Sequence, residues 1–281
     1  MEKKILIPTN FTKHAWNTLV YALNLYKKLP CTFYILNAYE VPPKIFLSRN
    51  HNMELEKAKD TSEKGLQKIL QGINFRQENE NHHFKIISSN KDLAGAIQDC
   101  IDMHNIDLVL MVSRGENVSI NSAYKNDISE VIEKVEYCPF LILPEKNKDL
   151  PEFYREIVFP TNYKFLFRKK EVEALIDMAL NLNAKIRILY IDIDNRPLSK
   201  LQEQNKETLK TYFSDVDFSF HILTQTTVTT GIHLFIESRE SNFLALYKRK
   251  HGFFSKLFSH KIKEDIDFNP KIPVLILKEF E

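Results

Sequence analysis

Short uninterrupted apolar runs, bounded by polar residues or proline, alternate along this chain with longer stretches in which apolar residues recur every three or four positions. The first pattern is that of strands buried on both faces, the second that of amphipathic helices. Read this way, the first half predicts strands over residues 5–8, 33–39, 84–88, 108–112 and 140–143. Helices are predicted over residues 12–28, from about 52 to 70, and over 93–104 and 127–135. The first helix carries Trp16, Leu19, Val20 and Leu23 on one face. The second half predicts strands over residues 157–159, 186–191, 218–223, 243–247 and 274–277, and its first helix turns Val172, Leu175, Ile176, Ala179 and Leu180 inward. Strands that are continuous apolar runs, each followed by a helix, indicate a parallel sheet covered on both faces, a doubly wound α/β fold occurring twice.

The two halves are copies. Lys3-Lys4-Ile5-Leu6-Ile7-Pro8-Thr9-Asn10-Phe11 returns as Arg155-Glu156-Ile157-Val158-Phe159-Pro160-Thr161-Asn162-Tyr163, and Cys138-Pro139-Phe140-Leu141-Ile142-Leu143 returns as Ile272-Pro273-Val274-Leu275-Ile276-Leu277. The offset between copies falls from 152 residues at Asn10 and Asn162 to 134 at Pro139 and Pro273. Nearly all of the loss lies between the second and third strands, where a helix rich in Glu and Lys after Pro42-Pro43 is shortened in its counterpart. Domains are expected over residues 1–146 and 151–281, joined by a polar, proline-ended linker too brief for free reorientation.

Composition narrows the class. A chain of 281 residues, 43% apolar and 27% charged, is ordinary for a soluble globular protein, and each half is long enough for its own core. Cys31, Cys100 and Cys138 match no zinc spacing, and three cysteines without a leader argue against a disulfide framework. No apolar stretch has the length of a signal peptide or a membrane span, so a cytoplasmic protein with no membrane partner is expected. The net charge of +2 does not imply nucleic acid.

In an open α/β sheet, ligands bind beyond the carboxyl ends of the strands where strand order reverses, here between the first and fourth strands. A strand into Pro-Thr-Asn-Phe-Thr, a second strand ending near Asn37-Ala38, a fourth running into Ser113-Arg114-Gly115, and a last helix leading to Cys138-Pro139-Phe140-Leu141-Ile142-Leu143 resemble the universal stress protein family in its tandem form. The resemblance covers the whole chain in two copies. It implies a five-stranded parallel sheet of order 3-2-1-4-5 in each half and pairing through the last strands. The halves are then expected to form a pseudo-dimer within one chain, which a second copy could join as a homodimer. Family members that bind ATP carry an Asp after the first strand and a Gly-x2-Gly-x9-Gly-Ser/Thr loop after the fourth.

This chain departs from that loop. In the first half the frame keeps only Gly115, and in the second, from Tyr247 to Lys261, no glycine stands at a motif position. The Asp is Asn10 in one copy and Asn162 in the other. A side chain at each former glycine blocks close approach of backbone amides to phosphate, and left-handed torsions there cost roughly 1 to 2 kcal/mol per residue. No cofactor is therefore expected, ATP being conceivable in the first domain only, through Asn10, Ala38, Ser113, Arg114 and Gly115. Without ligand, Asn10 and Asn162 cap the following helix or its turn. Lys248, Arg249, Lys250, His260 and Lys261 form a basic stretch interleaved with Phe253, Phe254 and Phe258. It reads either as a solvated face over an apolar anchor or as a site for an anionic ligand or acidic partner. The histidines form no metal spacing, Cys138 reads as a packing residue, and no catalytic constellation is found. The expectation is a stress-response binding or interaction module with degraded ATP loops, not an enzyme, whose small-molecule or protein partner is unnamed.

Overall fold

The computed structural model describes residues 2–39, 51–76, 79–112, 128–144, 153–249 and 272–280. The chain divides into two compact units, Met1–Lys148 and Asp149–Glu281. The first contains β1 (Lys3–Pro8), α1 (Lys13–Leu25), β2 (Cys31–Ala38), α2 (His51–Asn74), β3 (His82–Ser89), α3 (Leu93–His104), β4 (Leu108–Val112), α4 (Ile128–Lys134) and β5 (Phe140–Leu143). Its strands pair in parallel in the order β3-β2-β1-β4-β5. The second contains β6 (Glu156–Pro160), α5 (Lys169–Leu182), β7 (Lys185–Asp192), α6 (Lys200–Tyr212), β8 (Phe218–Thr224), α7 (Val228–Arg239), β9 (Phe243–Lys248) and β10 (Val274–Lys278). Here the order is β8-β7-β6-β9-β10, again parallel. Both sheets have the expected 3-2-1-4-5 order. The interdomain linker lies outside the described residues.

The central strands are apolar because helices cover both of their faces. Ile5, Leu6, Ile157 and Val158 are fully buried. The edge strands depart from that rule: β3 and β8 are mostly half-buried and carry His82, His83, Ser219 and His221, as the outermost strand has fewer neighbours to hide it. Helix boundaries follow local chemistry. Thr12, Asp92 and Thr227 accept from backbone N–H groups in the first turns of α1, α3 and α7, and Ser199 with Gln202 makes a reciprocal capping box on α6. Asn105 and Asn183 end α3 and α5 in the left-handed conformation that Asn tolerates.

Two predicted helix faces shift. On α1 the buried row is Ala15, Thr18, Leu19 and Ala22, with Trp16, Val20 and Leu23 half-buried on its flank. On α5, Val172, Leu175, Ile176 and Ala179 do face inward, but Leu180 is 56% exposed. It lies eight positions after Val172 and has rotated past the edge of the apolar stripe. The long helix of the first domain is α2, with 24 residues against 13 in α6. It docks through absent side chains: a Cβ on Gly65 would lie 2.5 Å from the Phe11 ring, and one on Gly72 would lie 2.8 Å from the Trp16 ring.

A charged network ties the amino-terminal end of β6 to its neighbours. Glu156 accepts from Arg187 Nε and Nη2 at 2.9 and 2.6 Å, from Arg239 Nη2 and Nε at 2.7 and 3.0 Å, and from the Ser241 hydroxyl at 3.2 Å. Arg187 Nη1 continues to Ser219 Oγ at 2.6 Å, which meets His221 Nε2 at 2.7 Å. Burial alone would raise the Glu156 pKa, but the hydrogen bonds and charges of Arg239 and Arg187 outweigh it and hold the carboxyl at about 2. A depressed carboxylate contributes stability above its unfolded pKa, about 4.3, and that contribution is lost as pH falls through 2.

Glu156→Gln therefore destabilises the second domain at neutral pH by about 2 kcal/mol, since it leaves the half-buried Arg187 without its counter-charge. The deficit relative to wild type shrinks as pH drops from about 4.5 towards 2. Urea denaturation followed by circular dichroism across that range checks both, and a pH-independent deficit would count against the carboxylate charge as the stabilising agent. Gly72→Val costs about 1 kcal/mol by overpacking. It also shifts the emission of Trp16, the sole tryptophan, and unchanged emission would contradict the seating of Trp16 on α2.

Candidate functional site

The two Pro-Thr-Asn segments fold alike. Where β1 ends, the Thr9 N–H donates to the Leu36 carbonyl at 2.7 Å. Where β6 ends, the Thr161 N–H donates to Leu189 at 2.9 Å. Each threonine then closes a turn with its hydroxyl, Thr9 Oγ1 accepting from Phe11 N–H at 3.1 Å and Thr161 Oγ1 from Tyr163 N–H at 3.3 Å. Each asparagine closes the next turn: Asn10 Oδ1 accepts from the Thr12 N–H at 3.2 Å and hydroxyl at 2.6 Å, and Asn162 Oδ1 accepts from Lys164 N–H at 3.0 Å. The aromatic residue between is left-handed in both copies, φ 62° at Phe11 and 54° at Tyr163. The asparagines thus bond the turn, and Thr12 caps α1 by accepting from Ala15 N–H at 3.3 Å.

The copies then part. In the first domain the helix starts at Lys13, three residues beyond Asn10. In the second it starts at Lys169, seven beyond Asn162. The extra segment drives Phe167 into a cluster with Phe159 at 5.7 Å and Tyr247 at 4.7 Å. At the end of the second strand, the register pairs Pro8 with Leu36 and Pro160 with Leu189, so Asn37 and Ala38 correspond to Tyr190 and Ile191. Buried Asn37 donates across the strand end to the Thr9 carbonyl at 2.7 Å. Tyr190 has no such reach, and its ring packs near Tyr163 at 5.6 Å.

A cavity of about 260 Å³ opens at this place in the second domain. Its lining combines apolar Pro160, Leu189, Ile191, Ile193 and Val228 with polar Thr161, Asn162, Lys164, Tyr190 and Asp194. Helix α6 fixes the turn beneath it, Gln202 Nε2 donating to the Asn162 carbonyl and Asn205 Nδ2 to the Tyr163 carbonyl, each at 2.8 Å. Burial, then the charges of Asp192 and Asp194, push the Tyr190 phenol up, so it stays protonated and able to donate. One cation, one carboxylate, a phenol and an amide beside apolar side chains suit a ring with a polar edge.

Of the residues singled out in the sequence, Asn10 and Ala38 stand at the carboxyl ends of the paired strands β1 and β2. Ser113, Arg114 and Gly115 lie outside the described residues, as do Lys250, His260 and Lys261. Lys248 is buried at the end of β9. Arg249 donates through Nε and Nη2 to Glu279 Oε1 at 3.0 and 2.7 Å and lies 3.9 Å over the Phe165 ring. Its Nη1 is buried with no hydrogen-bond partner among the described residues. Tyr190, Lys164 and Asp194 were not singled out in the sequence. Aligning the ends of the second strands would have exposed the exchange of Asn37 for Tyr190. Among the described residues no group of three or more His, Cys, Asp or Glu could hold a metal ion, and no helix is long and apolar enough to cross a membrane. The thiols of Cys31 and Cys100 are buried, and burial pushes them up to about 12 and about 11, away from the reactive thiolate.

A profile of the Universal stress protein family matches residues 1–123. No curated protein matches the sequence. The fold is similar to the crystal structure of a universal stress protein from Archaeoglobus fulgidus DSM 4304, at TM-score 0.65 and 14% identity over 99% of this chain and 97% of that one. It is also similar to the cytoplasmic domain of a prokaryotic cation chloride cotransporter, at TM-score 0.54 and 10% identity over 99% and 96%. At such identities the likeness concerns the fold. The family profile over residues 1–123 and the shared strand-end turns point the same way: the first domain is similar to the universal stress protein family, and the second domain repeats its fold.

Proposed function

We propose that the chain is a stress-response-type binding protein that holds a small ring-shaped ligand in the second-domain cavity and performs no chemistry on it. The observation that carries this reading is the cavity bounded by Thr161, Asn162 and Tyr190, at the place where α/β sheets of this topology bind ligands. Its volume of about 260 Å³ admits a ring or two, not a nucleoside triphosphate. The sequence from Tyr247 to Lys261 has no glycine in the positions that would let amides close on phosphate. Asn162 at the former Asp position adds no charge.

On this reading the chain purified from its native source retains a compound without phosphate, detectable by native mass spectrometry, and Val228→Trp, which fills the cavity, loses it. Millimolar ATP with magnesium leaves the melting temperature unchanged. A several-degree stabilisation by ATP would overturn the reading, because a ligand that binds only the folded state raises its stability. So would a wild-type protein that retains nothing and is stabilised by no ring compound.

A second reading places a nucleotide in the first domain, through Asn10, the Ala38 backbone and Ser113-Arg114-Gly115. It is favoured by the family match, which spans all of these positions. It requires Gly115→Val to abolish ATP affinity while Val228→Trp and Lys250→Ala leave it intact. Titration calorimetry separates the two.

A further inference from the structure

We propose that the second-domain cavity takes a zwitterion, an α-amino acid with a ring side chain; this rests on the ligand-holding role of that cavity and names the class of its ligand. Two of the lining side chains carry opposite charges, Lys164 and Asp194. Neither makes an ion pair or a side-chain hydrogen bond among the described residues, and they do not pair with each other. Asp192, two positions before Asp194, is by contrast engaged, its Oδ1 accepting from the Arg196 N–H at 3.3 Å.

Three lining side chains can donate. Asn162 Oδ1 is occupied by the Lys164 N–H at 3.0 Å, which leaves Asn162 Nδ2 as a donor with no partner among the described residues. The Tyr190 phenol keeps its proton, and the Lys164 ammonium adds a charge. An amide N–H, a phenol and an ammonium are what a carboxylate accepts from. Asp194 can only accept, and its counterpart is a ligand ammonium.

Charge decides between ligand classes. A phosphate ester meets Lys164 but is repelled by Asp194, and an amine without a carboxylate meets the reverse. A neutral ring strips water from both charges and supplies a counter-charge to neither, which costs free energy twice. A ligand with both signs satisfies both. The remaining lining suits its side chain: Leu189, Ile191 and Val228 are apolar, and Ile193, itself a lining residue, is left 61% exposed for a ring to cover. A volume of about 260 Å³ holds one such amino acid and not a peptide.

The test titrates the full chain by calorimetry with phenylalanine, tyrosine and tryptophan. Each is compared with the keto acid that lacks its ammonium and the amine that lacks its carboxylate, and adenine serves as the uncharged ring. At least one amino acid should bind saturably and about tenfold tighter than its two analogues and adenine, and Val228→Trp should abolish that binding. Asp194→Asn should weaken the amino acid about tenfold without weakening the keto acid, and Lys164→Gln should do the same without weakening the amine. Both positions are exposed, so both variants keep the wild-type melting temperature. The proposal is overturned if no amino acid binds, if an analogue or adenine binds as tightly, or if any of the three substitutions leaves amino-acid affinity unmoved. Retention of a different ring compound that Val228→Trp loses would then leave the cavity's ligand-holding role standing, whereas a protein that retains nothing and is stabilised by no ring compound removes both.

Discussion

A parallel strand covered on both faces has no surface on which to place a polar side chain, and that constraint organises both domains. The central strands β1 and β6 are buried from Ile5 to Pro8 and from Ile157 to Pro160, so any chemistry must wait until the chain leaves the sheet. It leaves through the same device twice. A threonine N–H makes one more ladder bond, its hydroxyl and the next asparagine close successive turns, and an aromatic residue accepts a left-handed backbone. The cost of that conformation at Phe11 and Tyr163, about 1 kcal/mol each, is offset by the bonds that surround it.

Identical exits lead to different rooms. In the first domain Asn37 reaches the Thr9 carbonyl and a long helix seals the turn by seating Phe11 on Gly65. In the second, the helix begins later and Tyr190 replaces the asparagine. The intervening segment supplies Phe165 as the bed for Arg249 and Lys164 as one wall of the cavity. The basic stretch of the second domain is in part already engaged, since Arg249 spends two of its nitrogens on Glu279. The duplication preserved backbone geometry while the side chains around it took up separate tasks.

Much of the fold was legible because burial on both faces leaves a strong mark. Leu108–Val112, Phe140–Leu143 and Leu93–His104 occupy the predicted positions, and the doubled Pro-Thr-Asn segment announced two domains. The edge strands were harder, since His82-His83 and Ser219 with His221 interrupt the apolar run where one side meets solvent. The Glu156 network was invisible: its members come from β6, β7, β8 and the end of α7, and no local pattern joins Glu156 to Arg239, 83 positions away. The cavity was missed for a related reason. Its walls depend on where α5 starts, and the residues from Tyr163 to Arg168 carry no strong start signal, because Arg168 lacks a capping side chain and Glu171 reaches back to the Arg168 N–H in its place.

The glycines of α2 have a consequence for how that helix can move. Gly65 and Gly72 are seven positions apart, two turns of one helical face, and each receives an aromatic ring from the segment around α1. Sliding α2 along the sheet by one turn, about 5.4 Å, would replace both vacancies with side chains and push Phe11 and Trp16 out of their seats. The helix is keyed at two points, like a ratchet with a single tooth spacing. Movement of α2 along the sheet therefore requires both rings to swing aside, which couples any shift of the helix to the segment around α1.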